Sequence, residues 1–392
     1  MKQIQFSDAL QRLPKQFFAS LTRKVQNLQA EGHDVINLGQ GNPDQPTPDH
    51  IVQSLQEAAA NPAYHGYSPF RGHQFLKDAA ATFYKREYDV DVNPDIEVAV
   101  LFGGKAGLVE ISQCLLNKGD VALVPDPGYP DYWSGIAMAN AKMETMPLLE
   151  KNDYLPNYQD ISQGIFEKAK LMFLNYPNNP TAGIATEELF EETVNLANKY
   201  DICVVHDFAY ATIGFDGKKP ISFLQTPGAK EVGIEIYTLS KSYNMAGWRV
   251  GFAVGHPDVI RAIELIQDHF YVSLFGGIQK AAADALLGPQ QCTEDMTKLY
   301  ESRRNVLING LKEIGWEVEA PKGSFFSWLK VPDGYTSEEF ADLLLHKAHV
   351  VVAPGIGFGR NGEGYVRVGL LADESRLKEA VERIRNLKIF KR

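Results

Sequence analysis

Cysteine is scarce in this sequence: its 392 residues include three cysteines, and no two of them form a C-x-x-C pair. Neither a disulfide framework nor a cysteine-based metal centre is therefore expected, and buried free thiols in a reducing compartment are predicted. Long hydrophobic runs are also lacking, since no apolar stretch approaches membrane-spanning length and the first eight residues lack a signal-peptide core. These absences predict a soluble, cytoplasmic protein with no metal and no membrane contact.

Positively charged residues are also fewer than negatively charged ones. The chain carries 39 lysine and arginine residues against 49 aspartate and glutamate residues, a formal net charge of -10, and its basic residues form no run. Proteins that bind nucleic acids usually present a basic face, so no nucleic-acid partner is expected.

A dinucleotide-binding fingerprint is missing as well. Gly39 and Gly41 lack the third glycine of that motif, and prolines at 43, 46 and 48 exclude an immediate helix. The later run Gly355-Ile356-Gly357-Phe358-Gly359 precedes no obvious helix and is interpreted as a turn. A glycine loop that presents backbone N–H groups to a substrate remains open for Gly39 and Gly41.

The first three quarters of the chain alternate apolar runs with helical patterns. Strands are predicted at 96–102, 121–125, 170–175, 202–206 and 234–239, and helices between them include 74–88 and 187–200. Continuous apolar runs of this kind are typical of a mostly parallel sheet that is buried on both faces. An α/β fold is therefore predicted for this part.

Beyond about Gly288 the pattern becomes α+β. It predicts a helix at 292–314, strands at 316–319, 324–330, 350–352 and 365–369, and a helix with a capping box at Thr336 and Glu339. At 392 residues, the chain is also longer than a chain that folds around one ordinary core. We predict a large domain of residues 38–287 and a smaller domain formed by residues 1–37 and 288–392.

Polar side chains follow the carboxyl ends of the predicted strands, where open α/β sheets bind their ligands. Asn179, Asp207, Tyr210 and Lys241 all fall at such ends. A lysine at the mouth of a buried strand loses hydration, its pKa falls, and its neutral amine can attack a carbonyl to form a Schiff base. The alternative is a solvated loop lysine, which is the commoner case for an isolated lysine.

Two stretches predict a phosphate site. The first predicted strand runs into a helix through the turn Gly103-Gly104-Lys105-Ala106, and N–H groups at a helix N-terminus bind phosphate. Beside Lys241, the hydroxyls of Thr238 and Ser240 and the guanidinium of Arg249 add donors of the kind that phosphate prefers. An ordinary strand-to-helix turn and a salt-bridged arginine are the alternative interpretations.

A reactive lysine, a phosphate site, an acid and a tyrosine together suggest pyridoxal 5′-phosphate. Lys241 would hold the cofactor and move the substrate proton. Asp207 would keep the ring nitrogen protonated, so that the ring accepts electrons. Tyr210 would donate a hydrogen bond to the ring hydroxyl.

With these residues, the chain resembles the class I/II aminotransferases of the fold-type I pyridoxal-phosphate enzymes over essentially its whole length. The motifs that carry the resemblance are Tyr67-x4-Gly72, Gly103-Gly104-Lys105, Pro127-Gly128-Tyr129, Asn178-Asn179-Pro180-Thr181, Asp207-x2-Tyr210, Ser240-Lys241-x7-Arg249 and Arg367. The resemblance implies a transaminase with a large, mostly parallel domain and a smaller α+β domain.

The resemblance also implies further residue roles. Tyr129 would stack on the cofactor ring, and Asn179 would bond the ring hydroxyl. Arg367 would clamp the substrate α-carboxylate through its planar fork, with Gly39 lying over the same carboxylate. Tyr67 would reach the phosphate of a neighbouring subunit, which implies a homodimer with shared active sites.

Two positions depart from the family pattern. Ala182 stands where the family usually has glycine, and it would be strained if the turn needs a positive φ. Thr238 replaces a commoner serine but keeps the hydroxyl. Neither change affects the lysine chemistry.

Within the family, the sequence is most similar to the methionine-salvage aminotransferases of bacilli. The similar stretches are residues 39–44, 102–107 and 126–132. This similarity implies ping-pong amination of 4-methylthio-2-oxobutanoate to methionine, with glutamine or another amino acid as the donor. An apolar pocket formed by Phe17, Phe18 and Tyr64 would suit a thioether.

Other activities remain open at this point. Broader aromatic or aspartate-type specificity is one, although no second arginine for a side-chain carboxylate is evident. A carbon–sulfur β-lyase would use the same lysine, aspartate and arginine. A non-enzymatic ligand sensor usually carries a DNA-binding module, for which the chain has no spare segment.

Overall fold

The computed structural model describes residues 4–15 and 17–390. Its strands are β1 (Ile36–Asn37), β2 (Val98–Leu101), β3 (Val121–Asp126), β4 (Lys142–Pro147), β5 (Ala169–Asn175), β6 (Cys203–Asp207), β7 (Gly233–Thr238), β8 (Gly251–Gly255), β9 (Phe326–Lys330), β10 (Val350–Val351), β11 (Ala353–Pro354) and β12 (Tyr365–Gly369).

The helices surround these strands. They are α1 (Asp8–Gln11), α2 (Phe17–Ala30), α3 (Asp49–Ala59), α4 (Gln74–Tyr88), α5 (Gly104–Leu115), α6 (Asp131–Met138), α7 (Gln163–Phe166), α8 (Glu187–Tyr200), α9 (Ala229–Val232), α10 (Leu239–Ser242), α11 (Pro257–Phe270), α12 (Gly276–Leu287), α13 (Gln291–Glu313), α14 (Ser337–Leu343) and α15 (Glu374–Arg385). Within the described ranges, no helix is long and apolar enough to cross a membrane.

The large sheet has seven strands in the order β2-β8-β7-β6-β5-β3-β4. All neighbours pair in parallel except β8, which is antiparallel to both β7 and β2. The segment between β7 and β8 contains only the four-residue α10 and a 3-10 turn. It lacks the crossover helix that a parallel return usually needs. The predicted α/β fold with a mostly parallel sheet is confirmed.

The strands differ from the prediction most clearly at β4 and at residues 316–319. Strand β4 was not predicted, because it is an edge strand whose residues are largely exposed and form no continuous apolar run. The predicted strand at 316–319 is wrong, since these residues form no strand. Its alternating pattern places Trp316 and Val318 in a core instead.

The long helices agree closely with their patterns. Helices α4 and α8 have the predicted bounds, and the Thr186 side chain caps α8 by accepting from the Leu189 N–H at 3.2 Å. The capping box of Thr336 and Glu339 is present at the start of α14, which continues into a π-helical turn at Leu344–Ala348. Local signals therefore determine these helix ends.

Separate apolar cores lie on the large sheet and in the C-terminal part. The latter core packs α13, α15 and the three-stranded sheet β11-β12-β9. Strand β1 pairs in parallel with β10, and Ile36 and Leu38 join the same core. The segment after β1 thus runs from the C-terminal core towards the carboxyl ends of the large sheet.

Candidate active site

A cavity of about 350 Å³ opens where the carboxyl ends of β5, β6 and β7 face the C-terminal part. Of the residues predicted to act in catalysis, cofactor binding or carboxylate binding, all but Ala106 and Tyr67 line it: Gly39, Gly104, Lys105, Tyr129, Asn179, Asp207, Tyr210, Thr238, Ser240, Lys241, Arg249 and Arg367. Ala106 lies in the first turn of α5, and the Tyr67 side chain is 94% exposed in the single chain. Residues far apart in sequence thus share one cavity.

Lys241 lies on α10, directly after β7. Its Nζ donates a hydrogen bond to the Gly41 carbonyl oxygen at 2.8 Å. Burial lowers the pKa of Lys241 to about 8, and the positive charges of Arg367 and Arg249 act in the same direction. The neutral form, which acts as a nucleophile or base, is therefore far more populated near physiological pH than in an ordinary lysine.

Asp207 ends β6 and is buried. The Tyr132 hydroxyl donates to its Oδ2 at 2.7 Å, and burial nevertheless raises the pKa of Asp207 to about 6. Asn175 Nδ2 fixes the local backbone by donating to the Asp207 carbonyl oxygen at 2.8 Å. The carboxyl group thus has a neutral donor but no ion-pair partner among the described residues, and a cationic N–H group would suit it.

The start of α5 forms the opposite end of the cavity. Gly103 has φ +79°, and a Cβ at this position would lie 2.7 Å from Arg249 Nη2, so glycine is required there. Arg249 Nη1 donates to the Ala246 carbonyl at 2.9 Å, and the hydroxyl of Thr238 donates to that of Ser240 at 2.9 Å. Lys105 lies at the same end and pairs with Asp131 at 3.0 Å. Helix N–H groups, hydroxyls and cations here form a donor set for a phosphate.

Arg367 lies on β12 and is buried. Its Nη1 donates to Asn179 Oδ1 and its Nη2 to the Gly39 carbonyl oxygen, both at 2.9 Å, while Nε has no partner. Burial lowers the pKa of Arg367 to about 10. No carboxylate of the described chain pairs with this guanidinium. Because a buried charge is costly without a counter-ion, the position favours an anionic ligand.

The turn that carries Asn179 is strained at one residue. Ala182 adopts φ +60°, a conformation that costs a residue other than glycine about 1 kcal/mol. The Asn178 side chain stabilises the turn by accepting from the N–H and the hydroxyl of Thr181. Asn179 still reaches Arg367, so the missing glycine does not displace it.

The remaining lining is mostly apolar, and sequence reasoning identified only part of it. Beside Phe18, the wall includes side chains of α2 and two further phenylalanines, with three polar groups between them: Leu21, Val25, Phe326, Phe358, Thr22, Asn37 and Gln40. The helical spacing of Leu21 and Val25 was a usable signal for two of these. The contributions of β9 and of the 355–358 turn depend on tertiary contacts that no local pattern encodes.

Only one of the three predicted aromatic wall residues lines the cavity. The Phe17 ring packs at Gly357, because neighbouring residues of a helix point in different directions. Tyr64 packs on His73, Phe75 and Gly276, away from the cavity. The predicted wall of Phe17, Phe18 and Tyr64 is therefore wrong for Phe17 and Tyr64 within this chain.

Comparison with known proteins gives consistent matches along the whole chain. Residues 33–384 match the model of the family described as aminotransferase class I and II. L-glutamine–4-(methylsulfanyl)-2-oxobutanoate aminotransferase of Bacillus subtilis is 66% identical over 384 residues, which cover 98% of this chain and 96% of that protein. LL-diaminopimelate aminotransferase of Halothermothrix orenii is 46% identical, with coverage of 97% and 98%.

A solved structure gives the same result. The substrate-bound structure of BacF from Bacillus subtilis is 49% identical, has a TM-score of 0.95, and covers 99% of this chain and 98% of that one.

Proposed function

The chain belongs to the class I and II aminotransferase family and is a transaminase, and we propose that it transfers an amino group from L-glutamine to 4-(methylsulfanyl)-2-oxobutanoate, which forms L-methionine, with pyridoxal 5′-phosphate as its cofactor. The observation that carries the substrate assignment is the 66% identity to the Bacillus subtilis enzyme over 98% of the chain. The chemistry of the cavity supports it independently.

The donor set of the cavity fits the cofactor. Arg249, Thr238, Ser240 and the Gly104-Lys105-Ala106 turn would hold its phosphate, since they supply the cations, hydroxyls and helix N–H groups around Gly103. Asp207 would hold the ring nitrogen, because its buried carboxyl lacks a cationic partner. Tyr210 and Asn179 would bond the ring hydroxyl, and Tyr129 would stack on the ring. These roles are carried from the family motifs.

When bound, the cofactor supplies an electron-accepting ring that stabilises negative charge at the substrate Cα. Arg367 binds the α-carboxylate with the help of Gly39 and so orients the Cα–H bond. Lys241 Nζ then takes the proton from the donor Cα in the first half of the reaction and returns a proton to the Cα of the product in the second half. Its lowered pKa allows the amine to act as this base near neutral pH. The buried walls around Phe326 and Phe358 exclude water from this exchange.

One cavity can serve both halves of a ping-pong reaction. Donor and acceptor share the α-carboxylate, so both can bind at Arg367 in turn. The side chains of Phe18, Leu21 and Val25 offer apolar contact to a thioether, while Thr22 and Gln40 offer hydrogen bonds to an amide. This mixed lining suits methionine-type and glutamine-type side chains.

We further infer a homodimer with shared active sites. Tyr67, Phe70 and Phe275 are 94%, 55% and 40% exposed, and the Ser68 hydroxyl donates to the Leu274 carbonyl, which brings the two segments together. An exposed apolar patch of this kind favours association. Tyr67 would then reach the phosphate site of the neighbouring subunit.

Two other inferences concern location and domain organisation. The three cysteines are unpaired, which supports a reducing, cytoplasmic compartment. The separate cores support a division into residues 38–287 and residues 1–37 with 288–392.

Initial rates with varied donor and acceptor test the substrate assignment. L-glutamine and 4-(methylsulfanyl)-2-oxobutanoate should give parallel double-reciprocal plots, as ping-pong transfer requires. Their kcat/KM should exceed that of LL-diaminopimelate as donor by about tenfold or more, because a second charged end has no partner in the apolar wall. A preference for LL-diaminopimelate would overturn the substrate assignment. Release of pyruvate and ammonia from cystathionine, without transfer, would indicate a β-lyase instead.

A further inference from the structure

Arg303 and Asp44 form a two-pronged ion pair outside the cavity, in which the arginine is buried and the aspartate is partly exposed. Arg303 lies on α13, its side chain is 3% exposed, and its Nη1 and Nη2 donate to Asp44 Oδ1 and Oδ2 at 2.9 and 2.8 Å. Burial opposes ionisation of Asp44, but the hydrogen bonds from Arg303 outweigh it and hold the pKa of Asp44 below its usual value. A planar fork on a carboxylate fixes both orientation and distance.

The same guanidinium reaches a second segment. Arg303 Nη1 also donates to the Leu370 carbonyl oxygen at 3.0 Å, just beyond the end of β12. Strand β12 carries Arg367 three residues earlier, and the Gly369 N–H donates to the Leu38 carbonyl at 2.6 Å. Arg303 therefore joins the strand of Arg367 to the loop of Asp44.

That loop contacts both charged groups of the cavity. The Gly39 carbonyl accepts from Arg367 Nη2 at 2.9 Å, and the Gly41 carbonyl accepts from Lys241 Nζ at 2.8 Å. Residues 38–48 contain no helix or strand, so no backbone ladder fixes these two carbonyls. A Cβ at Gly41 would lie 3.3 Å from the Phe326 ring, so the loop has little room to shift inward.

We propose that Arg303 is a positioning residue for substrate binding, which acts through Asp44 to fix the 39–44 loop against Arg367. Arg303 touches neither the cavity nor the reacting atoms. Its two contacts hold the loop and the strand at the spacing that the substrate carboxylate site requires. This inference rests on the proposed function, because it takes Arg367 as the α-carboxylate site.

A neighbouring ion pair supplies a matched control. Arg304, the next residue of α13, is similarly buried and binds Asp216 through both prongs at 2.7 and 2.8 Å. Asp216 lies in a surface turn and makes no contact with the 39–44 loop. Loss of either aspartate leaves a buried guanidinium of α13 without its two-pronged carboxylate partner, but only the Asp44 pair bears on the carboxylate site.

The test is binding of 4-(methylsulfanyl)butanoate, a carboxylate without an amino group, to the holoenzyme. Its inhibition constant should rise about tenfold or more in Asp44→Asn, because a small displacement of binding groups has large effects. The KM for glutamine should rise in parallel, with a smaller change in kcat. Asp44→Glu, which keeps the charge, should recover part of the binding, and Asp216→Asn should stay within about twofold of wild type.

Unchanged inhibitor binding in Asp44→Asn, or an equal loss in Asp216→Asn, would overturn the proposal. If Asp44→Asn does not fold, the same comparison is made between Arg303→Lys and Arg304→Lys, which keep the charge but lose the fork. Arg367→Lys distinguishes a failure of the proposed carboxylate site from a failure of the positioning role of Arg303. If it leaves inhibitor binding unchanged, the carboxylate assignment of the proposed function is wrong. If it weakens binding while Asp44→Asn does not, only the positioning role of Arg303 is wrong.

Discussion

Replacing Lys241 by alanine is expected to lower the rate of amino transfer by about four orders of magnitude or more, because it removes the side chain that we propose as both the nucleophile and the base of the reaction. The amine lies in the cavity, its pKa is lowered to about 8, and it donates a hydrogen bond to the Gly41 carbonyl. Alanine carries only a methyl group at this position, so the variant has no titratable group there.

The measurement is the single-turnover rate of oxo-acid formation from L-methionine by the cofactor-loaded variant. Lys118→Ala, which alters an exposed lysine of the same domain, serves as the control and should retain the wild-type rate. If Lys241→Ala keeps its rate within about tenfold of wild type, the proton moves by another route and the assignment of Lys241 fails.

Asp207→Asn is expected to reduce kcat by about a thousandfold, which is the scale of losing a buried charge that stabilises a transition state. Asparagine keeps the shape of the side chain and can still accept from the Tyr132 hydroxyl, which lies 2.7 Å from Oδ2 in the wild type. It cannot supply the negative charge that keeps a ring nitrogen protonated. The variant should therefore fold and retain cofactor while losing turnover.

Steady-state kcat with glutamine and 4-(methylsulfanyl)-2-oxobutanoate, together with the cofactor content of the purified variant, tests this. Asp201→Asn is the matched control, because Asp201 precedes the same strand at its opposite end and is exposed. A kcat within about tenfold of wild type in Asp207→Asn would show that the carboxylate does not tune the ring.

Much of the site was predictable because its residues follow strands. Asp207 ends β6 and Lys241 follows β7, and continuous apolar runs mark both strands. The carboxyl ends of parallel strands lie at one edge of the sheet, so the pattern also predicts that these two groups lie close together. The resemblance added Arg367, which no strand-end argument would select, and the aminotransferase fold implied by it is confirmed by solved structures of the family.

What could not be predicted depends on contacts between distant residues. Tyr132 meets Asp207 across 75 positions, and Arg303 meets Asp44 across 259. Local patterns also miss direction: the apolar run of β8 does not reveal that it is antiparallel to β7. At 316–319, where a strand was predicted, Trp316 and Val318 pack into a core from a segment that belongs to no strand.

The central claim is that this cavity binds pyridoxal phosphate and accepts an amino group from a methionine-type donor. The most direct test is an absorbance spectrum of the purified protein before and after addition of L-methionine, without any oxo acid. We predict a visible band of the bound cofactor that fades as 4-(methylsulfanyl)-2-oxobutanoate forms in an amount equal to the enzyme. A protein that shows no such band after addition of pyridoxal phosphate, or a band that neither methionine nor glutamine changes, would contradict the claim.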